Sequence, residues 1–181
     1  MAQLRLNLRG IGVLLVDRNH YYRALVAQMM AGFGVQHIRS CDSGATAMEY
    51  MKDNWVTLAI IEADLPDMAG SDLIRWIRRE QKEPLRFVPI IVLSGYTQVR
   101  MLNEVRNAGA NLVMQKPLSP KALFDRIGWL GRTKRAYIEA STYIGPDRRF
   151  RTILPPDNDY KRETDNLERI SAASIAESTT Q

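Results

Sequence analysis

Four short blocks of near-continuous apolar residues punctuate the chain: Gly12–Val16 (GVLLV), Leu58–Ile61 (LAII), Val88–Leu93 (VPIIVL) and Asn111–Gln115 (NLVMQ). Each has the length and composition of a strand covered on both faces. A fifth stretch, Val35–Ser40 (VQHIRS), alternates apolar and polar positions as a half-covered strand does. Between these blocks the apolar residues recur at helical spacing. Leu25, Val26, Met29 and Met30 fall on one face after Asn19, whose side chain can cap the helix, and the chain turns at Gly32 and Gly34. Asp42 or Ser43 opens a helix through Tyr50 and Met51 that ends near Asn54. Ser71–Glu80 directs Leu73, Ile74, Trp76 and Ile77 inward, with Arg75, Arg78 and Arg79 on its polar, solvated face. Lys82–Phe87 is a mostly polar connection, Val99–Ala108 a helix stopped by Gly109, and Ser119 opens a last helix with Pro120 in its first turn and Leu123, Phe124, Ile127 and Trp129 among its apolar positions. Five strands alternating with five helices predict an α/β fold, a doubly wound five-stranded parallel sheet with helices on both faces. There is no internal repeat.

From about Thr133 the periodicity breaks up and polar, proline-containing sequence takes over, which predicts a largely irregular C-terminal tail. The chain divides into a folded domain over residues 10–131 and a C-terminal extension over 132–181 with an arginine-rich segment at 143–151. After the Pro155-Pro156 break a short helix can form around Tyr160–Ile170, and the Ser-, Ala- and Thr-rich end reads as disordered. Arg148, Arg149 and Arg151 stand beside Tyr143 and Phe150. Guanidinium forks bind phosphate and stack on ring faces, so this group suits a nucleotide, a nucleic acid or an acidic protein surface. A solubilising linker is the plainer alternative. The tail is too short and too polar for a helix-turn-helix with its own core, which argues against DNA reading.

Composition changes this picture little. The 181 residues are 45% apolar, enough for one domain with a real core plus a tail. The net charge of +5 permits contact with phosphates or acidic partners, but the basic residues are spread along the chain with acids between them, so charge alone selects no partner. A single cysteine, Cys41, rules out an internal disulfide and reads as a small core residue. With no signal-peptide pattern and no apolar run of spanning length, the chain reads as cytoplasmic and without a membrane span. His37, inside the alternating strand, faces a helix or solvent rather than a metal.

The candidate chemistry lies where the strands end. Asp17 follows the first strand, Glu62 closes the central apolar block, Ser94 follows the fourth block, and Lys116 follows the fifth strand. In an open α/β sheet ligands bind outside the carboxyl ends of the strands, so two acids, a hydroxyl and an amine at one sheet edge form a set more specific than any member. The set, with the pieces VLLVDRNHYYR at Val13–Arg23, IIEADLPDMAG at Ile60–Gly70, PIIVLSG at Pro89–Gly95 and AGANLVMQKP at Ala108–Pro117, resembles the receiver domain of two-component response regulators over about residues 10–130.

The resemblance implies a CheY-like, flavodoxin-like fold and a phosphorylation site. The acid at the Glu62 position is an aspartate in that family and takes the phosphoryl group. Two acids after the first strand help hold Mg²⁺, and a hydroxyl and a lysine contact the phosphoryl oxygens. Asp17, Ser94 and Lys116 match. Glu62 departs, its extra methylene displacing the carboxylate by about an ångström, which can cost about a hundredfold where catalysis depends on positioning. Arg18 departs too, placing a guanidinium where the family has a metal-binding acid, and Mg²⁺ prefers carboxylate oxygens. Val113 stands where the family often has an aromatic reporter, with Tyr96 a second aromatic near Ser94. These departures imply a degenerate pseudo-receiver in which Arg18 or Lys116 pairs with Glu62, with no enzymatic activity and no bound Mg²⁺ or other cofactor. The expected function is a stand-alone atypical response regulator acting as a phosphorylation-independent signalling adaptor for a protein partner of a bacterial pathway, with homodimerisation allowed. Two alternatives stand beside it: an effector that binds cyclic di-GMP through the tail arginines, and a regulator phosphorylated weakly on a substitute acid.

Overall fold

The structure, a computed structural model, describes residues 7–95, 99–133 and 135–148. Along the chain run β1 (Gly12–Val16), α1 (His20–Gly32), β2 (His37–Cys41), α2 (Gly44–Asp53), β3 (Leu58–Glu62), α3 (Gly70–Glu80), a 3₁₀ turn (Leu85–Phe87), β4 (Ile90–Ser94), α4 (Val99–Ala108), β5 (Leu112–Gln115), α5 (Pro120–Arg132), β6 (Tyr137–Ala140) and β7 (Tyr143–Pro146). The first five strands form one sheet in the order β2-β1-β3-β4-β5, every neighbouring pair parallel. This is the doubly wound sheet that the apolar blocks predict.

Alternation along each central strand divides the core in two. Leu14, Val16, Ala59, Ile61, Ile90 and Val92 meet α2, α3 and α4 on one face, while Val13, Leu15, Leu58, Ile60, Ile91 and Leu93 meet α1 and α5 on the other. Because β3 is central and covered on both sides, all five of its residues are buried, Glu62 included. The helix starts follow the caps: Asn19 accepts from the Tyr22 amide, Ser119 from the Ala122 amide, and Ser43 rather than Asp42 caps α2. The β3–α3 loop is pinned in turn by Asp67, whose carboxylate accepts from the amides of Gly44 and Ala45. Loss of solvent pushes this carboxyl up, but the amides of Gly44, Ala45, Asp67 and Met68 together outweigh it and hold the group below the usual aspartate value. Gly70 closes the same loop where only a glycine fits, since a Cβ there would lie 2.3 Å from the Glu62 carbonyl oxygen.

Two readings of the helices need correction. Arg78, expected on the solvated face of α3, is 1% exposed. Its guanidinium donates to the carbonyls of Gly109, Arg86 and Val88 and to Asn111 Oδ1, and burial pulls it below the usual arginine value. Leu25, expected on the covered face of α1, is 45% exposed, because the α1 core contact is carried by Val26 and Met30. His37 is exposed on β2, and Cys41 is buried at its end.

Beyond α5 the chain forms an antiparallel hairpin, β6 with β7, that packs against α3 and α4. Its anchor is Tyr137, whose ring lies over the Arg78 guanidinium at 5.3 Å, meets Phe87 edge-on at 5.3 Å, and whose hydroxyl bonds the Asn111 side chain. Arg86 adds an ion pair to Glu139.

Candidate functional site

The carboxyl ends of β1, β3, β4 and β5 bring Asp17, Glu62, Ser94 and Lys116 to one place. Register does this: Val16 lies opposite Ile61, Glu62 opposite Leu93, and Ser94 opposite Gln115, so the residues that leave these strands emerge side by side. The Lys116 amide donates to the Ser94 carbonyl at 2.8 Å, extending the last ladder by one residue and aiming the lysine back across the sheet edge.

Lys116 is the hub. Its Nζ donates to Glu62 Oε1 at 2.8 Å and to Asp17 Oδ2 at 2.5 Å. The Asp17 side chain has no exposed surface, while those of Glu62 and Lys116 are 11% and 14% exposed. The other carboxylate oxygens are held by main chain: the Arg18 amide donates to Glu62 Oε2 at 3.2 Å, and the Asn19 amide to Asp17 Oδ1 at 2.8 Å. Arg18 turns its side chain to the same group, with Nε 4.0 Å from Glu62 Oε2 and Nη1 3.1 Å from Asp64 Oδ2. Burial pushes the Glu62 carboxyl above the usual value and neighbouring Asp17 adds to the rise, while Lys116 opposes it. Ser94 is 3% exposed, and its Oγ lies 3.6 Å from Met101 Sδ in the first turn of α4.

Sequence reasoning passed over three participants. Tyr22 places its ring 4.2 Å from Lys116 Nζ and accepts from the Leu118 amide at its hydroxyl, and burial raises that phenol. Asp64, in the loop after β3, is the closer acid to Arg18, and Arg23 donates to the Asp17 carbonyl. The signal for the first was its place in the opening turn of α1, and for the second its position two residues beyond Glu62.

The tail residues lie elsewhere. Tyr143 is in β7, its hydroxyl donating to the Pro146 carbonyl, and Arg148 lies over the Tyr143 ring at 4.0 Å. The Arg148 fork donates to Asn107 Oδ1 and the Arg106 carbonyl at the end of α4, so this guanidinium is already engaged within the chain. Arg149, Phe150, Arg151 and Tyr96 lie outside the described residues. Among the described residues no group of three or more His, Cys, Asp or Glu side chains is arranged to hold a metal ion, and no helix is long and apolar enough to cross a membrane.

Comparison with known proteins agrees with this geometry. The sequence model of the response regulator receiver domain matches residues 13–128. Transcriptional regulatory protein GltR of Pseudomonas aeruginosa is 34% identical over 118 residues, which cover 65% of this chain and 48% of GltR. The chain thus spans about half the length of that relative. Chemotaxis protein CheY-3 of Vibrio cholerae is 24% identical over 119 residues, covering 66% of this chain and 90% of CheY-3. Among solved structures, a response regulator receiver protein from Pseudomonas putida superposes with a TM-score of 0.60 at 26% identity, over 68% of this chain and 99% of that one. Chemotaxis response regulator CheY4 of Vibrio cholerae superposes with a TM-score of 0.61 at 22% identity, over 66% of this chain and 98% of that one, a match of fold.

Proposed function

The chain belongs to the response regulator receiver domain family of two-component signalling, and from that premise we propose that it works as a phosphorylation-independent adaptor, a receiver whose acceptor site is closed by its own side chains. The observation that carries this reading is the Lys116 ammonium bridging Glu62 and Asp17. Transfer of a phosphoryl group to a carboxylate needs a positioned nucleophile and cations left over for the three equatorial oxygens. Here both Glu62 oxygens already have partners, Lys116 on one and the Arg18 amide on the other. With Asp64 counted, three carboxylates face one ammonium and one guanidinium, so an incoming phosphoryl group would meet no unmatched cation in this set.

The donor set does not fit Mg²⁺. Its two buried carboxylates share the lysine, and the guanidinium of Arg18 stands beside Glu62 and Asp64 where a hard cation would need oxygen ligands. On this reading the lysine and the arginine hold the loops after β1, β3 and β5 in one arrangement, and a protein partner reads that surface. Incubation with acetyl phosphate and Mg²⁺ should leave the intact mass unchanged. An added phosphoryl mass that disappears in Glu62→Gln would overturn the proposal and restore the reading as a regulator phosphorylated on a substitute acid.

A further inference from the structure

The hairpin β6–β7 lies beyond the matched family segment, and it meets a helix with few buried positions. Of the ten residues of α4 only Val105 and Ala108 are buried, whereas α3 buries Gly70, Ser71, Leu73, Ile74, Ile77 and Arg78. An element with so few buried apolar positions has little of its own to hold it against local opening.

The hairpin supplies what α4 lacks, and does so at one end. β7 packs along α4, and Arg148 reaches back from just beyond β7 to donate to the Arg106 carbonyl at 3.0 Å and to Asn107 Oδ1 at 2.7 Å. The Arg106 carbonyl also accepts from the Gly109 amide at 3.1 Å, and a cation is favoured at that negative end of the helix. The Tyr143 ring backs the fork at 4.0 Å and so fixes its plane. Just after the helix, Gly109 takes φ +107°, and a Cβ there would lie 2.3 Å from the Ile144 carbonyl oxygen, so the two backbones touch where α4 ends. At the other end of the same helix Met101 lies against Ser94. A single helix therefore joins the hairpin to the edge of the acceptor site.

We propose that the β6–β7 hairpin is a latch that seats α4, so that the C-terminal extension controls the position of this helix and of the side chains it holds at Ser94. The latch itself does not depend on whether Glu62 accepts a phosphoryl group; its use as the input in place of phosphate rests on the adaptor reading.

Two variants of the full chain open the latch by different means. Arg148→Ala removes the fork from the helix end. Gly145→Ala is a wedge, because its Cβ would lie 2.8 Å from Gly109 Cα and 2.6 Å from Tyr143 Oη. Hydrogen exchange followed by mass spectrometry should show α4 amides exchanging about tenfold faster in both variants, with protection of β1 and β3 unchanged. Arg148→Lys, which keeps the charge and loses the two-pronged fork, should fall between wild type and Arg148→Ala. Unchanged α4 exchange in both variants would overturn the latch, and so would a uniform rise across β1, β3 and α4, which marks general destabilisation. Phosphorylation of Glu62 in the mass assay, with the exchange result as expected, would remove the adaptor reading and leave the latch standing.

Discussion

Glu62 shows how one residue sets the pH response of the site. Its carboxyl is pushed above its ordinary value of 4.5 by burial and by Asp17, with Lys116 pulling the other way. A group that binds a proton more tightly in the folded chain than in the unfolded one contributes stability at low pH. That contribution is lost as pH rises from the unfolded value through the folded one. Glu62→Gln removes this loss while keeping a hydrogen-bonding side chain of the same length. The melting temperature of the variant should therefore gain on wild type from about pH 4.5 upward and then stay a constant distance above the trend at pH 4. Parallel melting curves from about pH 4 to 8 would show that Glu62 titrates as it does in the unfolded chain. The acid itself was legible in the sequence, since an apolar run ended on it. Its partners were legible only as a choice between Arg18 and Lys116, and the structure gives it both: the lysine as ammonium donor, the arginine chiefly through its main-chain amide.

At the scale of the element, α3 carries the largest departure from the sequence reading. Ile74, Ile77 and Arg78 form an i, i+3, i+4 stripe, so spacing alone puts Arg78 on the covered face; its charge argued for the other side, and spacing won. The charge is tolerated because main-chain carbonyls of Gly109, Arg86 and Val88 and the Asn111 amide oxygen surround it, and the Tyr137 ring covers it. A planar fork can serve these separated acceptors and an ammonium cannot. Urea unfolding should therefore rank the proteins wild type, Arg78→Lys, Arg78→Met, with the last losing on the order of 3 kcal/mol through acceptors left without a donor. An Arg78→Lys protein as stable as wild type would show that charge rather than fork geometry matters here.

For the whole molecule, the fold extends past α5. The extension begins with a hairpin that covers Arg78 with Tyr137 and ties Glu139 to Arg86. A chain ended after Arg132 should lose on the order of 3 kcal/mol from the buried tyrosine and its hydrogen bonds. That corresponds to a melting temperature lower by roughly 10 °C. An unchanged melting temperature would return the segment to the status of a linker. The sequence by itself determined the order of strands and helices, the helix starts at Asn19 and Ser119, and the sheet edge shared by Asp17, Glu62, Ser94 and Lys116. Those are local properties: short apolar runs, caps and turns carry them within a few residues. Only the tertiary structure decided that Lys116 bridges acids 99 and 54 residues away, that Arg78 is buried, and that Arg148 caps α4. Each of these depends on acceptors contributed by elements distant in sequence, which exist at bonding distance only once the sheet has brought those elements together.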